Sequence, residues 1–139
     1  MKWSPEEIGR FGFKVGHTFE MSWFTLWRRD DHYDLDLFVM GDDDEPTKTT
    51  TPVPFDLGDK IIAEAYDKGG LESWEGSYNV DTGESDPFTW SLDIAALDES
   101  LLFISHGKGG MPDSQQFAQV IAAVRLAAPD FGKEFPEIG

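Results

Sequence analysis

The chain has 139 residues, no cysteine, and 27 aspartates and glutamates against 11 lysines and arginines, so its formal net charge is −16. A chain of this length fits one domain with a core of its own, and we predict a single globular domain over residues 1–139. The lack of cysteine excludes disulfides and thiolate metal sites, and the negative field disfavours nucleic acid and anionic membranes as partners.

The hydropathy of the chain indicates a cytoplasmic protein. Residues 1–7 lack the apolar core of a signal peptide. No apolar run approaches the roughly 18 residues that a membrane span needs. We therefore predict a cytoplasmic location and no membrane partner.

The first residues carry a helix-start pattern. Ser4 is a capping residue, Pro5 suits the first helical position, and Glu7 follows three residues after the cap. Nearby glycines limit the predicted helix to one or two turns. Phe11 and Phe13 then anchor this lead-in onto the sheet.

Residues 18–40 predict the β-hairpin around which the sheet is organised, because apolar and polar residues alternate along both halves. Pairing like faces sets Trp27 opposite Leu35 and Arg28 opposite Asp34. The predicted three-residue loop consists of Asp30, Asp31 and His32. Parts of both strands are apolar on both faces, so we expect a central hairpin with a helix over part of each face.

The segment after the hairpin, residues 41–52, is rich in acids, threonine and proline and is predicted to be an exposed loop. Residues 56–68 then predict a helix, because apolar residues recur at four-residue spacing. Asp56 is its expected cap, and two glycines end it.

The second half of the chain predicts three strands followed by a helix. The strands lie near residues 74–80, 88–95 and 101–105, and the helix covers residues 113–128 with Asp113 as its cap. Strands occur in adjacent groups and do not alternate with helices. The sequence therefore predicts an α+β fold with a mainly antiparallel sheet of about five strands.

A ligand site is one alternative that the sequence leaves open. Residues 105–110 contain His106, Lys108 and three glycines between the last strand and the last helix, where a backbone can approach an anion closely. The segment lacks the full phosphate-loop pattern. The acids of residues 30–36 do not match the spacing of a calcium loop, so we predict no metal, no cofactor and no assigned catalytic residue.

A protein-binding surface is the preferred interpretation. Acids are concentrated in two stretches without lysine or arginine, residues 30–47 and 69–107. Trp74 and Tyr78 lie among carboxylates, as interface anchors do. The predicted contacts are Asp30, Asp31, Asp42, Asp43, Asp44, Glu72, Trp74 and Glu75.

Small acidic immunity proteins, which neutralise bacterial toxins or nucleases, resemble this chain in overall profile, although no motif is shared. The sequence therefore predicts an immunity- or antitoxin-type inhibitor that occludes the active site of a basic toxin or nuclease. The alternatives are a small enzyme or anion-binding domain centred on residues 105–110, and a structural or assembly accessory subunit. The oligomeric state is not determined by the sequence.

Overall fold

The computed structural model describes residues 2–41 and 45–138, and its fold is α+β. Two helices and seven strands form a mixed sheet in the order β4-β3-β2-β1-β6-β7-β5, in which only β5 and β7 pair in parallel. The strands are β1 (Ile8–His17), β2 (Glu20–Arg28), β3 (Tyr33–Met40), β4 (Thr47–Val53), β5 (Ser77–Asn79), β6 (Thr89–Ala96) and β7 (Leu101–Lys108); the helices are α1 (Phe55–Asp67) and α2 (Ser114–Val124).

The central strand β1 was expected to be only a lead-in. The predicted helix at the start is a single 3-10 turn, Pro5–Glu7, in which the Ser4 backbone N–H donates to Glu7 Oε2 over 3.1 Å. Phe11, Phe13 and Val15 then alternate along β1 and are fully buried between β2 and β6. Glycines occupy several intervening positions, so the alternation is less visible in the sequence.

The edge strand β4 was expected to be a loop, and this prediction was wrong. Its threonines are β-branched and suit an extended backbone. Pro52 donates no hydrogen bond, yet it is tolerated here because β4 pairs only with β3 and its other side is free. Six of the seven residues of β4 are exposed.

The hairpin is confirmed, but its predicted register is off by one residue. Trp27 pairs with Asp34, and Arg28 pairs with Tyr33. The connection therefore contains four residues, 29–32, and is closed by a hydrogen bond from the backbone N–H of Arg29 to the carbonyl oxygen of His32 at 2.8 Å. This register places Phe24, Leu26, Tyr33 and Leu35 together on the buried face.

Both helices cover the same face of the sheet, so the expectation of a helix on each face was wrong. Their apolar residues join the inward side chains of the strands in one core; for example, Phe117 of α2 lies 5.7 Å from Phe13 of β1. Asp113 caps α2 as predicted, whereas α1 is preceded by Pro54 and carries Asp56 in its first turn. Neither helix is long and apolar enough to cross a membrane in the part of the chain that is described.

Candidate protein-binding face

The side of the sheet opposite the helices is uncovered, and we call it the open face. Side chains alternate along a strand, so this face carries the neighbours of the buried core residues. On β2 these are Trp23, Thr25 and Trp27, which flank the buried Phe24 and Leu26. The charged residues of the open face are Arg10, Lys14, Asp34, Asp36, Lys48, Asp93 and Lys108, together with Arg29, which reaches it from the turn.

Trp23 lies near the middle of the open face and is 45% exposed. The Nζ atom of Lys14, its cross-strand neighbour on β1, lies 5.0 Å from the centre of the indole ring. On the other side, Phe38 of β3 meets the indole edge-on at 6.5 Å between ring centres. These contacts hold a large aromatic side chain in a defined position while much of it stays in solvent.

Two hollows flank β2, and both are lined by Trp23, Thr25 and Trp27. The hollow on the β1 side, of about 300 Å³, also includes Gly12 and Asp93. The β-carbon of any other residue at position 12 would lie 2.6 Å from Asp93 Oδ1, so glycine is required to leave this carboxylate in place. The small Thr25 side chain between two indoles opens both spaces.

The second hollow lies on the β3 side of β2 and measures about 210 Å³. Asp36 and Lys48 contribute its charged groups, and Phe38 adds a third aromatic ring to the two indoles. Aromatic rings therefore supply most of its apolar wall. Such a space suits an apolar side chain from a partner.

Each carboxylate of the open face is already bound by the protein. Asp93 Oδ2 accepts from Arg10 Nε and Nη2 at 3.0 and 2.6 Å. Asp36 accepts from the Trp27 indole N–H at 3.1 Å and from a threonine hydroxyl at 2.7 Å, and Asp34 accepts from Arg29 Nε at 2.8 Å. The hydrogen bond from the Trp27 indole to Asp36 explains how this tryptophan can lie opposite the aspartates of β3.

Two cations of the open face have no such partner. Within residues 2–41 and 45–138, no carboxylate oxygen lies within 4.0 Å of the Nζ atom of Lys14 or of Lys108. Lys48 is only loosely paired, with its Nζ atom 3.8 Å from Asp36. Lys14 and Lys108 are therefore the ammonium groups of this face that have no carboxylate partner among the described residues.

Asp30 and Asp31 are exposed in the turn between β2 and β3, as predicted. His32 Nδ1 lies 2.6 Å from Asp31 Oδ1, and His32 Nε2 lies 2.8 Å from Asp34 Oδ1. The hydrogen bonds to Asp31 and then Asp34 raise the pKa of His32. The hydrogen bond with His32 lowers the pKa of Asp31, and the hydrogen bonds with Arg29 and then His32 lower the pKa of Asp34. Asp31 is thus engaged internally, and Asp30 is the more available acid.

Trp74 was predicted to be an exposed anchor, and the structure contradicts this. Its side chain is only 8% exposed, stacks on Phe117 at 6.1 Å, and donates its indole N–H to the carbonyl oxygen of Gly69 at 2.8 Å. Tyr78 is half-buried, and its hydroxyl accepts from the backbone N–H of Glu75 at 2.7 Å. Both aromatic residues belong to the packing beside β5.

Glu72 and Glu75 are exposed on the connection between α1 and β5. Glu72 Oε1 accepts a hydrogen bond from the Tyr66 hydroxyl at 2.7 Å. Burial, together with this carboxylate, raises the pKa of Tyr66 to about 12. Glu72 therefore stabilises the end of α1 in addition to contributing surface charge.

The predicted contact residues do not form one cluster. Asp30 and Asp31 follow β2, whereas Glu75 precedes β5, and three strands separate β2 from β5. Four strand spacings correspond to about 19 Å. Asp42, Asp43 and Asp44 lie outside the described residues.

His106 and Lys108 lie in strand β7, so the prediction that they follow the last strand was wrong. Ser105 is buried and donates to the carbonyl oxygen of Glu75 at 2.6 Å, while His106 is exposed on the open face. The Asp113 carboxylate already accepts from the backbone N–H groups of Gln115 and Gln116, so it competes with any anion for these donors at the start of α2.

The hollow next to Lys108 measures about 320 Å³. Two carboxylates, Asp81 and Glu84, share its lining with the lysine. Their negative charge opposes the binding of an anion there. The surroundings of Lys108 therefore do not favour the anion-site alternative.

The sequence interpretation missed Trp23, Lys14 and Arg10 as surface residues. The alternation in β2 was recognised, but large aromatic residues are usually buried, so it did not indicate that Trp23 is exposed. Arg10 and Lys14 were not placed because β1 was not recognised as a strand. The only sequence signal is the two-residue spacing of Arg10, Gly12 and Lys14, which would place all three on one face of a strand.

No protein-family model matches this chain, and a search of curated proteins found no match either. Among the described residues, no group of three or more histidines, aspartates and glutamates is arranged to hold a metal ion. The open face instead combines the exposed Trp23, the half-buried rings of Trp27 and Phe38, several cations and two shallow hollows. These are the features of a surface that binds another protein.

Proposed function

We propose that this chain is a protein-binding module of the inhibitor type, which neutralises a basic toxin or nuclease by covering its active site. The observation that carries the proposal is the open face, where Trp23 projects from the middle of a seven-stranded sheet and is 45% exposed. Tryptophan is enriched among the residues that dominate binding energy, and such residues lie near the centre of an interface. A cytoplasmic location belongs to the same proposal.

The net charge supports a basic partner. At −16, the chain attracts cationic proteins over distances longer than direct contact, which raises the rate of association. Exposed acids such as Asp30 and Glu75 lie beside the sheet and can pair with lysine and arginine of the partner. The charge and the open face thus act at different steps, the first in encounter and the second in docking.

The first experiment identifies the partner and tests inhibition. The full chain is used as bait at low salt against an extract of its native host, and each captured basic protein is expressed and assayed with and without the chain. A one-to-one loss of the captured protein's activity supports the proposal. Capture of basic proteins whose activities are unaffected contradicts it.

A matched pair of variants then tests the docking surface. Trp23→Ala is expected to weaken binding to the inhibited protein by about 30-fold, corresponding to about 2 kcal/mol. Leu126→Ala is the control, because Leu126 is 43% exposed but follows α2, away from the open face. Equal effects of the two substitutions would rule out the open face as the contact surface.

A second pair tests electrostatic steering. Reversing the charge of Asp30 and Asp31 is expected to slow association and to flatten its dependence on salt. Reversing Asp56 and Asp130, two exposed acids on the helical side of the molecule, changes the net charge by the same amount and is the control. Stopped-flow association rates at several salt concentrations distinguish local contact from a general effect of net charge.

The accessory-subunit alternative makes a different prediction for the same face. If the open face builds a symmetric assembly, the isolated chain sediments as an oligomer and Trp23→Ala dissociates it. A monomer in sedimentation velocity, together with inhibition of a basic protein, excludes this alternative.

A further inference from the structure

We infer that the open face receives a partner segment in which carboxylates surround an apolar side chain. This deepens the proposed function, and it rests on that function only for the claim that the open face contacts a protein. The contacting segment is negatively charged in this inference, whereas the net charge of −16 by itself suggests a positively charged segment.

The first argument is the state of the polar groups. Asp93, Asp36 and Asp34 are already held by hydrogen bonds and ion pairs of 2.6 to 3.1 Å from arginine and tryptophan side chains. A cationic segment would therefore meet carboxylates whose charge or hydrogen-bonding capacity is already partly taken up by side chains of the protein. Within residues 2–41 and 45–138, no carboxylate oxygen lies within 4.0 Å of the Lys14 ammonium group, so an incoming carboxylate gains a partner there without displacing one.

The second argument is the distribution of charge. The open face carries five of the eleven lysines and arginines but only three acids, a formal charge of 5 − 3 = +2. The remainder of residues 2–41 and 45–138 carries 6 lysines and arginines against 21 acids, a formal charge of 6 − 21 = −15. The open face is therefore a cationic area on an acidic molecule.

The third argument is the shape at the centre. The indoles of Trp23 and Trp27, with Thr25 between them, border a hollow on each side of β2, of about 300 and 210 Å³. An apolar side chain that enters either hollow contacts the aromatic rings and excludes water. Lys14, over the Trp23 ring, is then placed beside the entering segment.

A basic protein with carboxylates at the centre of its active site would complement both the cationic open face and the acidic remainder of the chain. Metal-dependent nucleases have this arrangement, because carboxylates hold the catalytic cations within a basic nucleic-acid cleft. The acidic periphery of the chain would face the basic cleft, and Lys14 would face the carboxylates.

The experiment uses two capped five-residue peptides as probes. Each has a central leucine, which is flanked by two acidic residues on either side in one peptide and by two lysines on either side in the other. The full chain is labelled with 5-fluorotryptophan, and the ¹⁹F resonance of Trp23 is assigned with Trp23→Phe. We expect the acidic peptide to shift this resonance saturably and the basic peptide to leave it unchanged.

Lys14→Glu is expected to weaken binding of the acidic peptide by about fivefold or more, since an attractive charge becomes repulsive. Lys60→Glu, the same change on exposed Lys60 of α1, is the control and should have a much smaller effect. A Trp23 shift with the basic peptide, no shift with either, or equal weakening by both substitutions would overturn the inference. Failure of the host-extract assay alone would overturn the proposed function and not this result.

Discussion

Gly58 allows α1 to approach strand β3 closely. A β-carbon at this position would collide with the ring of Tyr33, which is itself buried and donates its hydroxyl to Asp59 at 2.6 Å. Arg28 Nη1 in turn donates to the Tyr33 hydroxyl at 2.9 Å. Burial, followed by the bond to Asp59, raises the pKa of Tyr33. Gly58 therefore permits a polar contact between α1 and β3 inside a largely apolar layer.

Replacing Gly58 with alanine tests this contact. Alanine is favoured in helices by about 1 kcal/mol over glycine, but overpacking against a fixed ring costs about 1–3 kcal/mol. We expect Gly58→Ala to lower the free energy of unfolding by about 1 kcal/mol or more in urea denaturation. Gly76→Ala is the control, since nothing lies within 4 Å of a β-carbon there, and a gain in stability from Gly58→Ala would contradict the close approach.

His17 connects the end of β1 to the C-terminal segment. Its Nδ1 atom lies 2.9 Å from the carbonyl oxygen of Asp86 and its Nε2 atom lies 3.0 Å from Glu137 Oε1. Both neighbours are acceptors, so only the imidazolium form donates to both. Partial burial lowers the pKa of His17, but the hydrogen bonds to Asp86 and Glu137 outweigh it and raise the pKa above 6.5.

This contact should depend on pH. A raised pKa in the folded state means that His17 contributes its full stabilisation below pH 6.5 and loses it as pH rises through the folded-state value. Glu137→Gln should therefore reduce the melting temperature more at pH 5.5 than at pH 8.5. An NMR titration of His17 should show a lower pKa in Glu137→Gln than in the wild type, and identical titrations would contradict the proposed ion pair.

At the scale of elements, Trp27 of strand β2 shows that an aromatic residue in an alternating pattern can lie on the open face of a sheet instead of in the core. Trp27 faces Asp34 and donates its indole N–H to Asp36 at 3.1 Å, while the guanidinium of Arg10 lies 5.7 Å from the ring centre. Apolar bulk and a polar donor in one side chain suit a wet sheet face as well as a core. The register could therefore place carboxylates beside tryptophans.

Helix α2 is the element whose cap the sequence identified. Asp113 was predicted to cap it, and Asp113 Oδ1 accepts from the backbone N–H groups of Gln115 and Gln116 at 3.0 and 3.2 Å. The helix itself ends at Val124 and is shorter than predicted. Capping is local, so a sequence pattern of four residues was sufficient to identify it.

Asp113→Ala should remove this cap and lower the free energy of unfolding by about 1 kcal/mol. Asp130→Ala is a matched control, because it deletes an exposed carboxylate beyond the other end of α2, which among the described residues forms an ion pair with Lys133 at 3.2 Å. The control should change stability by less than about 0.5 kcal/mol. Urea unfolding of both variants measures the difference, and equal losses would show that the effect is one of net charge.

For the whole molecule, the arrangement of charge matters more than its amount. Acids lie on the helical layer, in the turns and beside the sheet edges, whereas the open face carries a positive formal charge in the described part of the chain. The molecule thus presents two electrostatic surfaces. The proposed steering by acids and docking through the open face depend on this separation.

The net charge of −16 also opposes folding through self-repulsion at low salt. Raising the salt concentration from 10 to 100 mM shortens the screening length from about 30 to about 10 Å. We expect the melting temperature at pH 7 to rise by about 3 °C over this range, as for a gain of about 1 kcal/mol. A constant or falling melting temperature would show that the ion pairs of the folded state outweigh the repulsion.

The sequence by itself determined the α+β class, the hairpin, both helices and the excess of acid. These follow from local periodicity, capping and composition, which do not depend on what a segment packs against. It underestimated the sheet, because the alternation of β1 is interrupted by glycines and the threonines of β4 resemble those of a loop. The prediction of the exposed acids Asp30, Asp31, Glu72 and Glu75 follows directly from their polarity.

Only the tertiary structure decided which face of the sheet is covered and which charges meet on the other. Alternation divides a strand into two faces but does not say which one receives the helices. With both helices on one side, Trp74 became core and Trp23 became surface. The antiparallel pairing of β1 with β2 then placed Lys14 opposite Trp23 and Arg10 opposite Trp27. This proximity depends on the register of two strands, one of which the sequence did not reveal.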